Sequence, residues 1–374
     1  MAASDDQCEV PELLTRFTSW KHPQTAHIFQ YSRLSCDRSL KEVSQNEVIS
    51  RNGEFAACGG LYGSWVYPGG DAERIKVVAD FYSAWVFLDD LIDNSIDMKY
   101  TCDVLDDIKA RVTGPPKGDQ GLDHLFRLWR HEGWNSELLQ LAKAEIDLWL
   151  HCTQALRKIE VEQEPVSVEE YLTYRQTNAA MGLMFLIVPF TRPDLADDLL
   201  RLRKWSPDTL KNIFSYSGRN MGVILDLYKL NAHHAQITEY SHIAAIVQQN
   251  SDTRMDFQQA VDRSAEIFHE YEDKLAVEFA NVATLSPRLA KALEDVHAGS
   301  IAWLNLMRGR RYVKKTKSRR RGYLKMITAI IICGLLLTAV LILWLWPSLW
   351  THYVPVGGRQ ILQTFNPIHR TEKP

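Results

Sequence analysis

Several of the usual signposts are missing. The six cysteines, Cys8, Cys36, Cys58, Cys102, Cys152 and Cys333, are scattered along 374 residues and none forms a CxxC pair. That spacing fits free thiols in a reducing compartment rather than a disulfide framework. The acidic N-terminus "MAASDDQCEVPELL" has no apolar h-region, so no signal peptide is expected. With a formal net charge of −3 the chain has no global basicity, and no nucleic-acid partner is expected. Strand-like alternation, internal repeats and low-complexity tracts are absent as well. The composition, 46% hydrophobic and 24% charged, belongs to a folded globular protein rather than a disordered one. The length allows one large domain or two ordinary ones.

What the sequence does carry is helical spacing. "DAERIKVVADFYSAWVFLDDLID" repeats apolar residues at i, i+3, i+4 and i+7, over a stretch too long for a strand. "SELLQLAKAEIDLWLHCTQALRKI", "VEEYLTYRQTNAAMGLMFLIV", "DTLKNIFSYSGRNMGVILDLYKL" and "FQQAVDRSAEIFHEYEDKLAVEFANVA" have the same period. Ser167 before "VEEYL" and "SPD" before "TLKNIF" supply helix starts. Breaks are expected at "YPGGD", "TGPPKGDQG" and "FTRPD". Residues 46–315 therefore predict one all-α helical domain, preceded by an N-terminal segment, 1–45.

Beyond it the composition changes. The tract "RGRRYVKKTKSRRRGYLK", which includes a basic juxtamembrane segment at 316–325, leads into an uncharged apolar run at 326–346. That run is long enough to span a bilayer, which takes about 20 residues. Tyr323 lies near one end, and Trp344, Trp346 and Trp350 near the other, as interfacial aromatics do. The expectation is one C-terminal transmembrane helix followed by a short tail, 347–374. The positive-inside rule then leaves the helical domain facing the cytosol on a single-pass anchor, the endoplasmic reticulum being one membrane that suits. The basic tract serves either as a topology signal or as a contact for anionic membrane lipid.

One segment poses a chemical question. "WVFLDDLIDN" sets Asp89, Asp90 and Asp93 at the end of an apolar run. Asp89 and Asp93 are i and i+4, so a helix puts them on one face, with Asp90 beside them. Carboxylates converging on a small volume repel one another, and a hard divalent cation such as Mg²⁺ relieves the conflict through oxygen ligands. One and two turns back stand Trp85 and Phe81 or Tyr82. The spacing suggests a metal cluster at the mouth of an aromatic-lined pocket; an acidic helix end facing water is the plainer alternative.

"VYPGGDAERIKVVADFYSAWVFLDDLID" resembles the opening of the class I terpene synthase domain, with its "YP…ER" segment and its aromatic helix ending in DDxxD. "YLTYRQTNAA" resembles the helix bearing that family's diphosphate-sensing arginine, here Arg175. "VILDLYKLNAHH" falls where the second metal motif is expected, and "WLNLMRGRRY" resembles the C-terminal tryptophan followed by an Arg-Tyr pair, here Arg311 and Tyr312. The resemblance implies a class I terpene synthase α-helical bundle. It implies a prenyl diphosphate held between Mg²⁺ and basic side chains. Asp89 and Asp90 would be metal ligands with Asp93 standing behind them, Arg175 and Arg311 would grip phosphate oxygens, and Tyr312 would add a hydroxyl. Phe81, Trp85, Phe214 and Trp303 are the candidate pocket wall, or else ordinary core aromatics.

The second motif departs from the family. It normally offers Asn or Asp, Ser or Thr, and Glu at i, i+4 and i+8, whereas Leu225, Lys229 and His233 stand there. Starting at Asn220 puts Ile224 and Tyr228 at the other two positions. Only Asp226 survives as a metal ligand. Three explanations stay open: Asp226 acting with Asn231, His233 or His234; the Lys229 ammonium replacing part of a metal's charge; or an inactive protein. The leading expectation is a sesquiterpene cyclase that ionises farnesyl diphosphate with Mg²⁺. A chain-elongating prenyltransferase, a diterpene cyclase and a membrane-tethered inactive scaffold are the alternatives. Release of a hydrocarbon beside a bilayer would also suit membrane-bound oxidases as downstream partners.

Overall fold

The computed structural model describes residues 8–41, 58–93, 95, 97–115, 118, 120–162, 164–230, 242–251 and 254–311. Along them run α1 (Thr25–Lys41), α2 (Cys58–Val66), α3 (Ala72–Asp93), α4 (Met98–Thr113), the short α5 (Gly121–Leu125), α6 (Ser136–Glu162), α7 (Val168–Asn178), α8 (Met181–Thr191), α9 (Ala196–Trp205), α10 (Pro207–Lys229), α11 (Ile243–Gln249), α12 (Phe257–Leu285) and α13 (Pro287–Arg311). Short 3₁₀ turns occupy Arg127–Arg130 and Pro193–Leu195. No strand occurs among the described residues, as the absence of alternation predicts. All of them lie within the unit Met1–Val313.

Helix starts follow local chemistry. Ser167 accepts from the Glu170 N–H and caps α7. Asp97 accepts from the Lys99 N–H at α4. Asp256 and Gln259 form a reciprocal capping box at α12. Pro207 opens α10, where its missing N–H is no loss. The turns expected at "YPGGD", "TGPPKGDQG" and "FTRPD" all separate helices.

One expected helix is two. The run from Val168 breaks at Ala179–Ala180, where Ala180 takes the left-handed conformation with φ 59°. Neither Ala179 nor Ala180, the residues at the break itself, is a helix breaker. The break is bought by tertiary contacts: the Trp149 indole N–H donates to the Asn178 carbonyl at 2.9 Å, satisfying a group that the helix ladder has given up. Beyond the break, α8 is buried at every position, which explains why it is apolar all round.

α10 is the central element, packed against α7, α8, α12 and α13. Two glycines allow its approach to α7. A Cβ on Gly218 would lie 2.1 Å from the Gln176 carbonyl oxygen, and one on Gly222 would lie 2.5 Å from Cγ of Arg175. Bare backbone at these two positions, one turn apart, lets α7 and the stem of Arg175 lie against α10.

The N-terminal segment is tied to the same helices. The Leu13 N–H donates to the Tyr228 hydroxyl at 3.3 Å, and the Asn305 amide donates to the Leu13 carbonyl at 2.9 Å. Glu272 accepts from the Thr15 hydroxyl and the Arg16 N–H, both at 3.0 Å. Its other oxygen meets Nε2 of His297 at 2.5 Å, and Nδ1 of His297 lies 2.7 Å from the Ser217 hydroxyl. Ser217, His297 and Glu272 are all buried, so this row of polar groups fastens the segment to the core.

Among the described residues no single helix is long and apolar enough to cross a membrane. The run expected to do so, 326–346, lies outside them, as do the basic segment 316–325 and the tail.

Candidate active site

Two helix C-termini converge on one spot. Asp93 is the last residue of α3 and Lys229 the last of α10. Their side chains meet, Lys229 Nζ donating to Asp93 Oδ2 at 2.6 Å. A helix C-terminus carries partial negative charge, so it favours the ammonium and disfavours the carboxylate. Burial acts to raise the Asp93 carboxyl, but Lys229 beside it outweighs this and holds it below the ordinary carboxylate range. Burial likewise opposes the charge on Lys229, and Asp93 overcomes that, keeping the ammonium protonated beyond the ordinary lysine range. Asp89, half-buried one turn back on α3, adds its field to both Lys229 and Arg175.

The second ion pair lies deeper. Arg175, in the last turn of α7, grips Asp226 of α10 through Nε at 3.1 Å and a terminal nitrogen at 3.0 Å. The Tyr171 hydroxyl, one turn earlier, donates to the other Asp226 oxygen at 2.6 Å. The Ile243 N–H adds a bond of 3.3 Å to that oxygen. The remaining guanidinium nitrogen of Arg175 bonds the Asn178 side chain at the helix break, and the Asn178 amide donates to Thr153 at 2.8 Å. Arg175 and Asp226 are both buried. Burial works against the arginine's charge, yet Asp226 and its neighbours raise its affinity for the proton, so it is a permanent cation.

Three further residues complete the electrostatics. Arg157 of α6 bonds Glu160 and the Ser95 carbonyl, and its charge reaches Asp93. Burial raises the Glu160 carboxyl, with Arg157 opposing. His242, at the start of α11, is buried and pushed down to about 4 by that burial, against the pull of Asp226, so it is neutral at physiological pH.

An aromatic wall continues from the acidic corner. Trp85, one turn before Asp89, packs on Trp149 with ring centroids 4.3 Å apart. Phe81 meets Trp85 edge-on at 5.0 Å and is enclosed by Phe126 and Trp129. Trp303 packs on Tyr62 at 4.8 Å, and Phe214 stacks on Phe185 at 5.7 Å. Phe81, Trp85 and Trp303 are buried, Phe214 partly so. Trp149 closes a circuit, since its N–H reaches the helix break that Arg175 also contacts.

The fold thus assembles Asp89 and Asp93 of α3, Arg175 of α7, and Asp226 and Lys229 of α10, from three separated stretches of the chain. The side chains of Asp90 and Arg311, and all of Tyr312, Asn231, His233 and His234, lie outside the described residues. Tyr171, Asn178, Arg157, Glu160 and His242 escape sequence reasoning. Tyr171 alone left a trace, because it shares a helix face with Arg175 four residues on.

Among the described residues no group of three or more His, Cys, Asp or Glu is placed to hold a metal ion. The donor chemistry differs between the two sides. On α3, Asp89 and its neighbour Asp90 are hard oxygen donors of the type Mg²⁺ takes. On α10, the carboxylate that reaches the site, Asp226, is already bound by Arg175 and Tyr171.

This arrangement of helices is the class I terpene synthase fold. Hedycaryol synthase superposes with a TM-score of 0.60 at 14% sequence identity, over 81% of this chain and 99% of that one. Germacradien-4-ol synthase from Streptomyces citricolor gives 0.58 at 17%, over 78% and 99%. The SVS_A2 protein from ancestral sequence reconstruction gives 0.64 at 13%, over 80% and 90%. No protein-family model and no curated protein sequence matches the chain.

Proposed function

We propose that the chain is a terpene cyclase that ionises a prenyl diphosphate, farnesyl diphosphate before others, and closes the resulting cation into a cyclic hydrocarbon. The observation that carries this is the pairing of charges at one end of an aromatic-walled bundle: Asp89 and Asp93 on one side, Arg175 and Lys229 on the other. A site that held only carboxylates would repel a diphosphate, and one that held only cations would not need Asp89.

Asp89, with Asp90, would hold Mg²⁺. When bound, the metal neutralises phosphate oxygens and makes the diphosphate a better leaving group. The chain's own residues do the rest. Arg175 presents a guanidinium whose charge is fixed by Asp226 and whose direction is fixed by Asn178, so it needs no reorganisation to meet a developing anion. Lys229 adds an ammonium beside Asp93. Trp85 and Trp149 place aromatic faces behind the acidic corner, and each face contributes about 0.5–2 kcal/mol to a nearby cation. The packed aromatics exclude water, which would otherwise quench it.

The test is incubation of the purified protein with farnesyl diphosphate and Mg²⁺, followed by volatile analysis and a diphosphate assay, with Asp89→Ala alongside. A cyclic hydrocarbon that disappears in the variant supports the proposal. No diphosphate release from C10, C15 or C20 substrates would instead favour an inactive scaffold, and a longer diphosphate formed with isopentenyl diphosphate would favour chain elongation.

The C-terminal apolar run is proposed to anchor the domain on the cytosolic face of a membrane, where a hydrocarbon product partitions into lipid and toward membrane-bound oxidases. Truncation after Arg320 should release the protein from membranes and leave turnover intact; continued sedimentation with membranes would refute the anchor.

A further inference from the structure

Among the described residues, the α10 side of the site has no carboxylate left to offer a metal ion. Asp226 is the one acidic residue there among the described residues. Its first oxygen takes Nε and a terminal nitrogen of Arg175, and its second takes the Tyr171 hydroxyl and the Ile243 N–H. Both carboxylate oxygens are thus engaged, by three hydrogen bonds and one further ion-pair contact. Leu225, on the preceding residue of the helix, has no ligand atom at all. The group that α10 does send to the acidic corner is the Lys229 ammonium, set against Asp93 at 2.6 Å.

Two features make this lysine more than a surface ion pair. It is the terminal residue of its helix, so the axial carbonyl dipoles add to the field that keeps it charged. It also bridges the two helices of the site, with Asp93 at the end of α3 as its anchor. An ammonium has three N–H donors, and the bond to Asp93 uses one. Among the described residues no other hydrogen-bond acceptor takes them, so they can meet phosphate oxygens without loss of the anchor, and the charge is positioned before a ligand arrives.

We propose that on the α10 side of the site a diphosphate is met directly by the Lys229 ammonium, with Arg175 behind it, and that divalent metal is held from the α3 side alone. The proposal rests on the diphosphate reading of the site and assigns the charge that a second metal position would otherwise supply. It also gives the Lys229–Asp93 pair a purpose, since the same carboxylate that restrains the ammonium stands beside Asp89.

The experiment uses the full chain and inorganic pyrophosphate as the probe. Binding is followed by calorimetry in EDTA and again in Mg²⁺, and Mn²⁺ bound per pyrophosphate is counted by electron paramagnetic resonance. Lys229→Met, Lys229→Arg and Asp89→Ala are compared with the parent protein after circular dichroism shows each to be folded. The parent is expected to bind pyrophosphate in EDTA. Lys229→Met should weaken that binding about tenfold or more, the size of a lost charge-assisted contact, and Lys229→Arg should restore it to within about threefold. Asp89→Ala should lower the Mn²⁺ count, and Lys229→Met should leave that count unchanged. A merely structural lysine would not give rescue by arginine together with an unchanged metal count. Pyrophosphate binding that is indifferent to Lys229→Met overturns the lysine assignment while leaving the diphosphate reading standing. Absence of pyrophosphate binding by the parent in both EDTA and Mg²⁺ overturns both.

Discussion

Arg175 owes its position to Gly222. A methyl group at Gly222 would lie 2.5 Å from the arginine Cγ, well inside contact distance, so the groove on α10 is shaped for this side chain. Gly222→Ala gains about 1 kcal/mol of helix propensity and loses about 1–3 kcal/mol to overpacking. Stability should therefore fall by up to about 2 kcal/mol, while Arg175 is shifted within its contact to Asp226 rather than detached from it. The expected result is a fall in kcat/KM of about tenfold or more with a thermal midpoint only modestly below that of the parent. Gly218→Ala, which meets the Gln176 backbone carbonyl at 2.1 Å, should instead destabilise the fold, because backbone cannot swing aside.

Asp226→Asn isolates the buried ion pair. Arg175 keeps its position but loses its counter-charge in a site where both partners are buried. Removing one member of such a pair costs about 3–5 kcal/mol. Urea unfolding at neutral pH should show a loss of that order. A loss under about 1 kcal/mol would mean that solvent reaches the guanidinium and screens it.

His242 predicts how stability responds to acid. Its folded-state value is pushed down to about 4 by burial, from an ordinary 6.5. Between these values the unfolded chain takes up a proton that the folded chain refuses, so stability rises with pH there. The contribution is complete above the unfolded value and is lost as pH falls toward the folded one, in total about 3 kcal/mol. Urea midpoints at pH 7 and pH 4.5 should differ less in His242→Gln than in the parent. An unchanged pH dependence would show that other groups govern acid unfolding.

Trp149→Phe tests the helix break. It keeps an aromatic ring against Trp85 but removes the donor to the Asn178 carbonyl. Leaving that acceptor unpaired should cost about 1–3 kcal/mol. If the break orients Arg175, as the shared Asn178 contacts indicate, kcat should fall while KM stays close to the parent value. Proportional changes in both would point to general loosening instead.

Much of the helical layout is legible in the sequence because amphipathic period and capping are local. Ser167 and Pro207 mark their helices, and Pro- or Gly-bearing turns separate others, each for reasons confined to a few neighbouring atoms. The acidic corner is also legible, since Asp89 and Asp93 share a face by helical geometry alone. The break at Ala180 is not, because a left-handed alanine is held by Trp149, far away in the chain. Nor is the fate of Asp226. Its spacing suits a metal ligand, but its spatial neighbours are Arg175 and Tyr171.

Sequence by itself determined that this protein is helical, that it carries aspartates at the end of an aromatic helix, and that a lysine stands where an oxygen ligand is expected. Those are properties of periodicity and residue type, which act over one or two turns. Tertiary structure alone decided which charge meets which: Lys229 with Asp93, Arg175 with Asp226, Trp149 with the helix break. Electrostatic partners are chosen by distance in space and by the low dielectric of the packed interior, and neither exists until the helices have come together.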